Sequence, residues 1–122
     1  MPAVPFSLET VVVDDQATIT IHGDLSGAAD EQLTGAYDEA RAAGMMGLTI
    51  DFSQAAYINS TGIAVLVRIL AAGRRDGVEV RARGLSPHYI EIFEITRISD
   101  FMRIERDDLA TVDDLTTVGG IA

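Results

Sequence analysis

One short apolar run between two helical patterns constrains the fold of this chain more than any other feature of its sequence. Residues 47–52 are almost continuously apolar, which is typical of a strand buried in a sheet that helices cover. A helical pattern follows Ser26, which suits the N-cap position, and ends at Gly44. A second pattern covers residues 60–75, after a loop that contains Tyr57. Strands that alternate with helices favour an α/β fold with a mostly parallel sheet.

Further strand patterns flank this central unit. Residues 6–13 and 17–23 are rich in β-branched side chains and are separated by two aspartates, so they predict an antiparallel hairpin. Residues 78–83 alternate apolar and charged side chains, as a strand with one solvent-facing side does. Ser86-Pro87 marks the start of a third helix, and residues 101–104 predict a last strand.

The chain is expected to form one domain. Its 122 residues are too few for two independent hydrophobic cores. We assign the domain to residues 1–115, within which the acidic stretch 107–115 is compatible with a short final helix. Residues 116–122 are expected to form a frayed or disordered tail.

The sequence lacks the residue types that several kinds of active site need. It has no cysteine, which excludes disulfides, thiolate metal sites and cysteine nucleophiles. It has no lysine, so a phosphate-binding loop that ends in Lys-Ser/Thr cannot form. His22 and His88 belong to different elements and lack the spacing of a metal-binding pair. We therefore predict no catalytic residue, no metal site and no cofactor, in a protein that binds rather than catalyses.

The charge of the chain bears on its partners and its location. The net charge is -10, and so acidic a surface repels a phosphate backbone, so we expect no nucleic-acid partner. All nine basic residues are arginines, and five lie within residues 68–83, either as a solvated rim or as a patch for an acidic partner. No apolar run approaches the roughly 20 residues of a membrane helix. We expect a cytoplasmic protein with no membrane partner.

The segment that leads into the second helix is the most informative for function. Either Asn59 or Ser60 can cap that helix, which leaves the Ser60 hydroxyl near free backbone N–H groups and the positive end of the helix dipole. A phosphate attached there meets favourable electrostatics. Gly62 removes side-chain bulk and is expected to leave the hydroxyl accessible to another protein. From these properties alone, the segment is either an ordinary helix cap or a modification site.

Four short segments follow one another along the chain. They are Gly23-Asp24-Leu25, Asp51-Phe52-Ser53, Asn59-Ser60-Thr61-Gly62-Ile63 (after Tyr57-Ile58) and Gly84-Leu85-Ser86-Pro87. In type, spacing and order they resemble the motifs of the STAS domains of bacterial anti-sigma factor antagonists. The resemblance covers residues 6–115. It implies the STAS fold, an α/β fold in which helices pack against a mixed, mostly parallel sheet of about five strands.

The resemblance also implies a function, that of an anti-sigma factor antagonist. In the family, the serine aligned with Ser60 is phosphorylated by a partner anti-sigma factor that is also a serine/threonine kinase. The unphosphorylated form binds that partner and frees a sigma factor. Ser60 is thus the phosphorylation site that the resemblance implies, and an anti-sigma factor is the implied partner.

Two positions depart from the family pattern. The aspartate that usually precedes the serine is Asn59 here, and the aspartate often found after Gly-Glu-Leu is Ser26. Both changes remove negative charge near Ser60. They keep a second interpretation open, that of a STAS scaffold subunit of a lipid-transport ABC system or of a stressosome-like complex. A small-molecule or nucleotide sensor is a third interpretation, for which the sequence has no pocket signature.

A partner is expected to dock around Ser60 and along the second helix. The stripe predicted to face the core consists of Ile63, Leu66, Val67 and Leu70. The opposite side carries small and polar residues that a partner could approach closely, unless the tail covers it. The residues predicted to contact the partner are Asp24, Ser26, Asn59, Ser60, Thr61, Gly62, Ala64, Val65 and Arg68. The sequence does not decide between a monomer and a homodimer.

Overall fold

The computed structural model of the chain describes residues 4–105. Its strands are β1 (Ser7–Val13), β2 (Gln16–Leu25), β3 (Gly47–Ile58), β4 (Glu79–Arg83) and β5 (Arg103–Ile104). Its helices are α1 (Asp30–Ala42), α2 (Ser60–Asp76) and α3 (Pro87–Ile95), with short 3₁₀ turns at Gly27–Ala29 and Ile98–Asp100. The predictions made for residues 107–115 and 116–122 lie outside the described residues.

The described strands form one mixed sheet in the order β1-β2-β3-β4-β5. β1 pairs with β2 in the antiparallel sense, and every later neighbour is parallel. Parallel neighbours need a crossover connection, which α1, α2 and α3 provide in turn. The predicted α/β fold with a mostly parallel sheet of about five strands is confirmed.

The core lies between the sheet and these crossover helices. Its most deeply buried strand side chains include Ile19, Ile21, Leu48 and Ile50. The helices contribute Leu33, Tyr37, Leu66, Ile69 and Phe93. Each such side chain stabilises the fold by about 1.5–3 kcal/mol relative to an exposed one. One continuous cluster therefore holds the sheet against all three helices.

The central strand β3 is longer than its apolar run predicted. It continues past Phe52 to Ile58, so Tyr57 lies in a strand, and its prediction as a loop residue is wrong. β3 extends this far because β2 continues to Leu25 and pairs with the second half of β3, with two register shifts along the way. Most side chains of that half are exposed, so it carries no apolar pattern for a sequence to reveal.

The last described strand is shorter than predicted. Of residues 101–104, only Arg103–Ile104 pair with β4. Phe101 instead ends the 3₁₀ turn Ile98–Asp100, and its side chain is 51 % exposed.

The side of α2 that faces the core differs from the predicted stripe. Leu66 and Leu70 are buried as predicted, but Ile63 is only half-buried and Val67 is 48 % exposed. The buried positions are Gly62, Val65, Leu66, Ile69, Leu70 and Gly73, which share one helical face. Two of these are glycines, which add no hydrophobicity to the pattern. A Cβ at Gly73 would lie 2.9 Å from a methyl group of Val80, so α2 packs closely against β4 there.

Candidate functional site

Asn59 caps α2. It follows β3 in an extended conformation, and its side-chain Oδ1 accepts a hydrogen bond from the Gly62 N–H at 2.8 Å. Ser60 is therefore the first residue of the helix rather than its cap. Of the two residues that the sequence allowed as the cap, Asn59 has that role.

Ser60 is exposed at the first turn of this 17-residue helix. Its hydroxyl forms no hydrogen bond to any described residue. The backbone N–H groups of a first helical turn lack partners within the helix, and the dipole is positive there. A group attached to the Ser60 oxygen would meet this positive end and project into solvent.

The hydroxyl of the next residue, Thr61, is bonded on both sides. It donates to Asn59 Oδ1 at 2.8 Å and accepts from the Gly27 N–H at 2.8 Å. Gly27 begins the 3₁₀ turn that follows β2. In addition, the Asn59 N–H donates to the Leu25 carbonyl at 3.2 Å. The start of α2 is thus held to the end of β2 and to the turn beyond it.

Gly62 has a packing role that the sequence did not reveal. It is buried, and a Cβ there would overlap the Leu25 carbonyl oxygen. The Ser60 hydroxyl is exposed as predicted, but Gly62 faces β2, and its missing side chain makes room for the Leu25 backbone instead.

Asp24 ties the end of β2 to the segment before β1, and Ser26 stabilises the turn between β2 and α1. The Asp24 carboxylate accepts a hydrogen bond from the Val4 N–H at 3.0 Å, and the backbone N–H of Asp24 donates to the Val4 carbonyl at 3.0 Å. Ser26 Oγ accepts from the Ala28 N–H at 3.3 Å. Ser26 therefore caps the 3₁₀ turn rather than α1 itself, whose N-cap residue is Ala29.

The structure separates the predicted contact residues of α2 by exposure. Thr61, Ala64 and Arg68 are exposed, but Val65 is 1 % exposed and packs in the core. The prediction that Val65 lies on the open side of the helix is wrong, because the buried stripe includes it. Tyr57, which was not predicted as a contact, is 56 % exposed on β3 close before Ser60 in the chain.

Side chains of α3 and β4 bond to residues of β3 and support the strand. The Ile58 N–H donates to the Tyr89 hydroxyl at 3.0 Å. Further back along β3, Arg83 pairs with Asp51 at 3.0 Å. Burial alone would raise the pKa of the Asp51 carboxyl, but hydrogen bonds from Ser53 and Arg83 lower the pKa below its ordinary value. Asp51 therefore stays ionised and holds β3 to β4.

Four of the five arginines of residues 68–83 pair with acidic side chains of the same chain. The pairs are Arg68 with Asp30 at 3.7 Å, Arg75 with Asp76 at 3.0 Å, Arg81 with Glu79 at 3.3 Å and Arg83 with Asp51 at 3.0 Å. The fifth, Arg74, lies over the Phe101 ring at 5.4 Å. These contacts favour a paired rim over a patch for an acidic partner.

Two further properties concern metals and membranes. Across residues 4–105, no three His, Asp or Glu side chains come together in a group that could hold a metal ion. None of the helices in that range is both long enough and apolar enough to cross a membrane.

Comparison with known proteins agrees with the resemblance noted from the sequence. Residues 9–106 match a family model described as Mlab, STAS domain. Two curated relatives are the anti-sigma-B factor antagonists of Listeria monocytogenes and Listeria innocua, each 36 % identical over 58 residues. That match covers 48 % of this chain, and the chain spans about half the length, 51 %, of these relatives.

Solved structures share the fold at lower identity. The anti-sigma factor antagonist SpoIIAA in its unphosphorylated form has a TM-score of 0.65 at 16 % identity, covering 93 % of this chain and 100 % of that one. The phosphorylated form of SpoIIAA from Bacillus has a TM-score of 0.64 at 17 % identity, with coverages of 90 % and 99 %. A sulfate transporter family protein from Wolinella succinogenes has a TM-score of 0.67 at 15 % identity, with coverages of 86 % and 89 %. At these identities the similarity establishes the fold alone.

Proposed function

The chain belongs to the STAS domain family, and from this premise we propose that it is an anti-sigma factor antagonist. It binds an anti-sigma factor of the serine-kinase type, and in doing so it frees a sigma factor. The curated Listeria relatives, named anti-sigma-B factor antagonists, support this proposal. So does the acidic surface, because a protein with a net charge of -10 acts on transcription through another protein rather than through DNA.

The observation that carries the proposal is the state of Ser60. Its hydroxyl is exposed, has no bond to any described residue, and occupies the first position of α2. Thr61 differs, since both hydrogen-bonding directions of its hydroxyl are used. A kinase can therefore reach Ser60 without breaking an internal contact, which supports Ser60 as the phosphorylated residue.

Phosphorylation of Ser60 acts as the switch in this proposal. The phosphate adds a charge of roughly -1.5 to -2 and three acceptor oxygens. The helix N-terminus accommodates that charge within the domain, whereas a partner packed against Ser60 must remove water from it. The fold survives and affinity for the anti-sigma factor falls.

Asn59 is compatible with this switch. Its Oδ1 performs the capping role that an aspartate would perform, with the Gly62 N–H at 2.8 Å. As a neutral residue it adds no repulsion to a phosphate on its neighbour. The contact surface consists of the exposed residues around it, namely Ser60, Thr61, Ala64 and Arg68, together with Asp24 and the turn that Ser26 caps.

A second candidate function rests on the same neutral residues. Asn59 and Ser26 stand where the family pattern has aspartates, as expected if binding here is constitutive and phosphorylation plays no part. The chain would then be a STAS scaffold subunit of a lipid-transport ABC system or of a stressosome-like complex.

The proposal is tested with anti-sigma factors of the serine-kinase type encoded in the same genome, each purified. Calorimetry measures their affinity for the wild type, Ser60→Ala, Ser60→Asp and the kinase-treated protein, with folding checked by circular dichroism. We expect the wild type and Ser60→Ala to bind and the two charged forms to bind more weakly. Thr10→Asp, a charge at an exposed position of the edge strand β1, is the matched control and should bind like the wild type.

Three results would contradict the proposal in different ways. If no anti-sigma factor binds the wild type, the function is wrong, and co-purification with a transporter subunit would favour the second candidate. Equal binding by all folded forms would leave Ser60 without a switching role. Mass spectrometry that locates the phosphate on Thr61 or Ser53 would show that the residue assignment is wrong.

A further inference from the structure

One hydroxyl group links two elements that are 34 residues apart in the chain. Thr61 Oγ1 accepts the Gly27 N–H at 2.8 Å and donates to Asn59 Oδ1 at 2.8 Å. A threonine in the first turn of a helix ordinarily bonds to backbone of its own segment. Thr61 instead reaches the 3₁₀ turn Gly27–Ala29 and connects that turn to the helix cap.

The two elements are also in close contact at this point. A Cβ at Gly27 would lie 3.3 Å from the Thr61 Cβ, which is tighter than most such contacts. Gly27 and Ala28 are exposed, as is Ser60 on the other side of Thr61. The turn and the first residues of α2 therefore form one continuous surface. The hydrogen bond from the Gly27 N–H to the Thr61 hydroxyl joins the turn to the helix.

We infer that Thr61 is a positioning residue, whose hydroxyl holds the turn at Gly27 against the start of α2 so that an anti-sigma factor meets both as one preformed surface. This inference rests on the proposed function. Without the hydroxyl, the Gly27 N–H loses its acceptor and the turn gains freedom. Binding must then restore the order that the free protein no longer has, which weakens affinity.

The first test measures the link in the free protein. Hydrogen exchange of the Gly27 amide is compared among the wild type, Thr61→Val and Thr61→Ser. We expect exchange at Gly27 about fivefold faster in Thr61→Val, the ratio for one hydrogen bond of ordinary strength, and within twofold of the wild type in Thr61→Ser. Thr34→Val is the matched control, because the Thr34 hydroxyl bonds to the Asp30 carbonyl of its own helix at 2.7 Å. It should leave the Gly27 amide unchanged.

The second test measures affinity for the anti-sigma factor that binds the wild type. We expect Thr61→Val to bind about fivefold more weakly and Thr61→Ser to restore binding to within twofold. Thr34→Val should bind like the wild type. If Thr61→Val does not fold, Thr61→Ala removes the same hydroxyl with less bulk and replaces it in both tests.

Each alternative result overturns a distinct part of the inference. Unchanged exchange at Gly27 in the variant without the hydroxyl would rule out the link. Faster exchange with unchanged affinity would rule out its role in binding. If Thr61→Ser behaves like Thr61→Val, the methyl group rather than the hydroxyl matters. If the wild type binds no anti-sigma factor, the proposed function fails, while the exchange measurement still decides whether the link exists.

Discussion

The two ends of α2 are both held by residues distant in sequence, but with opposite chemistry. At the N-terminal end, neutral groups of Asn59, Thr61 and Gly27 share hydrogen bonds at the surface. At the C-terminal end, the Asp76 carboxylate accepts from the Tyr37 hydroxyl at 2.9 Å and pairs with Arg75 at 3.0 Å. Tyr37 is 2 % exposed, so this second contact reaches into the core.

The difference determines which end of α2 has hydrogen bonds that depend on pH. Burial and the hydrogen bond to Asp76 raise the pKa of Tyr37 to about 12. Hydrogen bonds from Arg75 and Tyr37 lower the pKa of Asp76 below its ordinary value. The C-terminal end therefore depends on pH, whereas the bonds of the N-terminal end involve no ionisable side chain. A phosphate on Ser60 would be the first charge in that neutral network, which suits a switch.

The largest effect on this comparison is expected from Gly62→Ala. The new Cβ would overlap the Leu25 carbonyl oxygen and force the start of α2 away from β2. We expect the free energy of unfolding, measured by urea denaturation, to fall by about 3 kcal/mol. Gly35→Ala in α1 is the matched control, since its Cβ would have no neighbour within 4 Å. A stability loss as small as that of the control would show that α2 can shift without penalty.

A smaller loss is expected from Asn59→Ala, which removes the cap of α2 and the acceptor for Thr61. The free energy of unfolding should fall by about 1–2 kcal/mol, equally at pH 6 and pH 9, because no ionisable side chain takes part. Asn59→Asp keeps an acceptor oxygen and should lie within about 0.5 kcal/mol of the wild type. A loss from Asn59→Ala that changes with pH would contradict the neutral character of this end.

Tyr37→Phe removes the hydroxyl that donates to Asp76 at the other end. At neutral pH the free energy of unfolding should fall by about 1 kcal/mol. The folded pKa of Tyr37, about 12, is above the ordinary tyrosine value of 10.0, so the stabilisation is complete below pH 10 and is lost as the pH rises toward 12. The difference between wild type and variant should shrink over that range. Tyr57→Phe, at an exposed tyrosine, is the control, and an equal effect there would refute the role of burial.

The smallest effect is expected from Ser60→Ala. Because Asn59 is the cap, losing the Ser60 hydroxyl should change the free energy of unfolding by less than about 0.5 kcal/mol. The measurement is the same urea denaturation, with Ser86→Ala as a contrast. Ser86 Oγ caps α3 by accepting the Tyr89 N–H at 3.3 Å, and its loss should be larger. A loss of 1 kcal/mol or more from Ser60→Ala would mean that Ser60 shares the capping role.

Much of this architecture follows from local patterns. The hairpin, the buried start of β3 and the cap-and-proline start of α3 at Ser86 each depend on neighbouring residues, and all three were predicted. The helix that starts at Ser60 was predicted in the same way. These features are encoded locally, because periodicity and capping chemistry act over one or two turns of chain.

Only the tertiary structure decided the features that depend on partners far along the chain. The buried side of α2 was misjudged at Val65 because Gly62 contributes space rather than hydrophobicity, and that space matters only once Leu25 is packed against it. Asn59 and Ser60 are equally suitable caps as residue types, and the backbone path from β3 selected Asn59. The bond between Thr61 and Gly27 joins residues 34 positions apart, so no local pattern could predict it. Such contacts exist only after the sheet has brought β2 and β3 side by side.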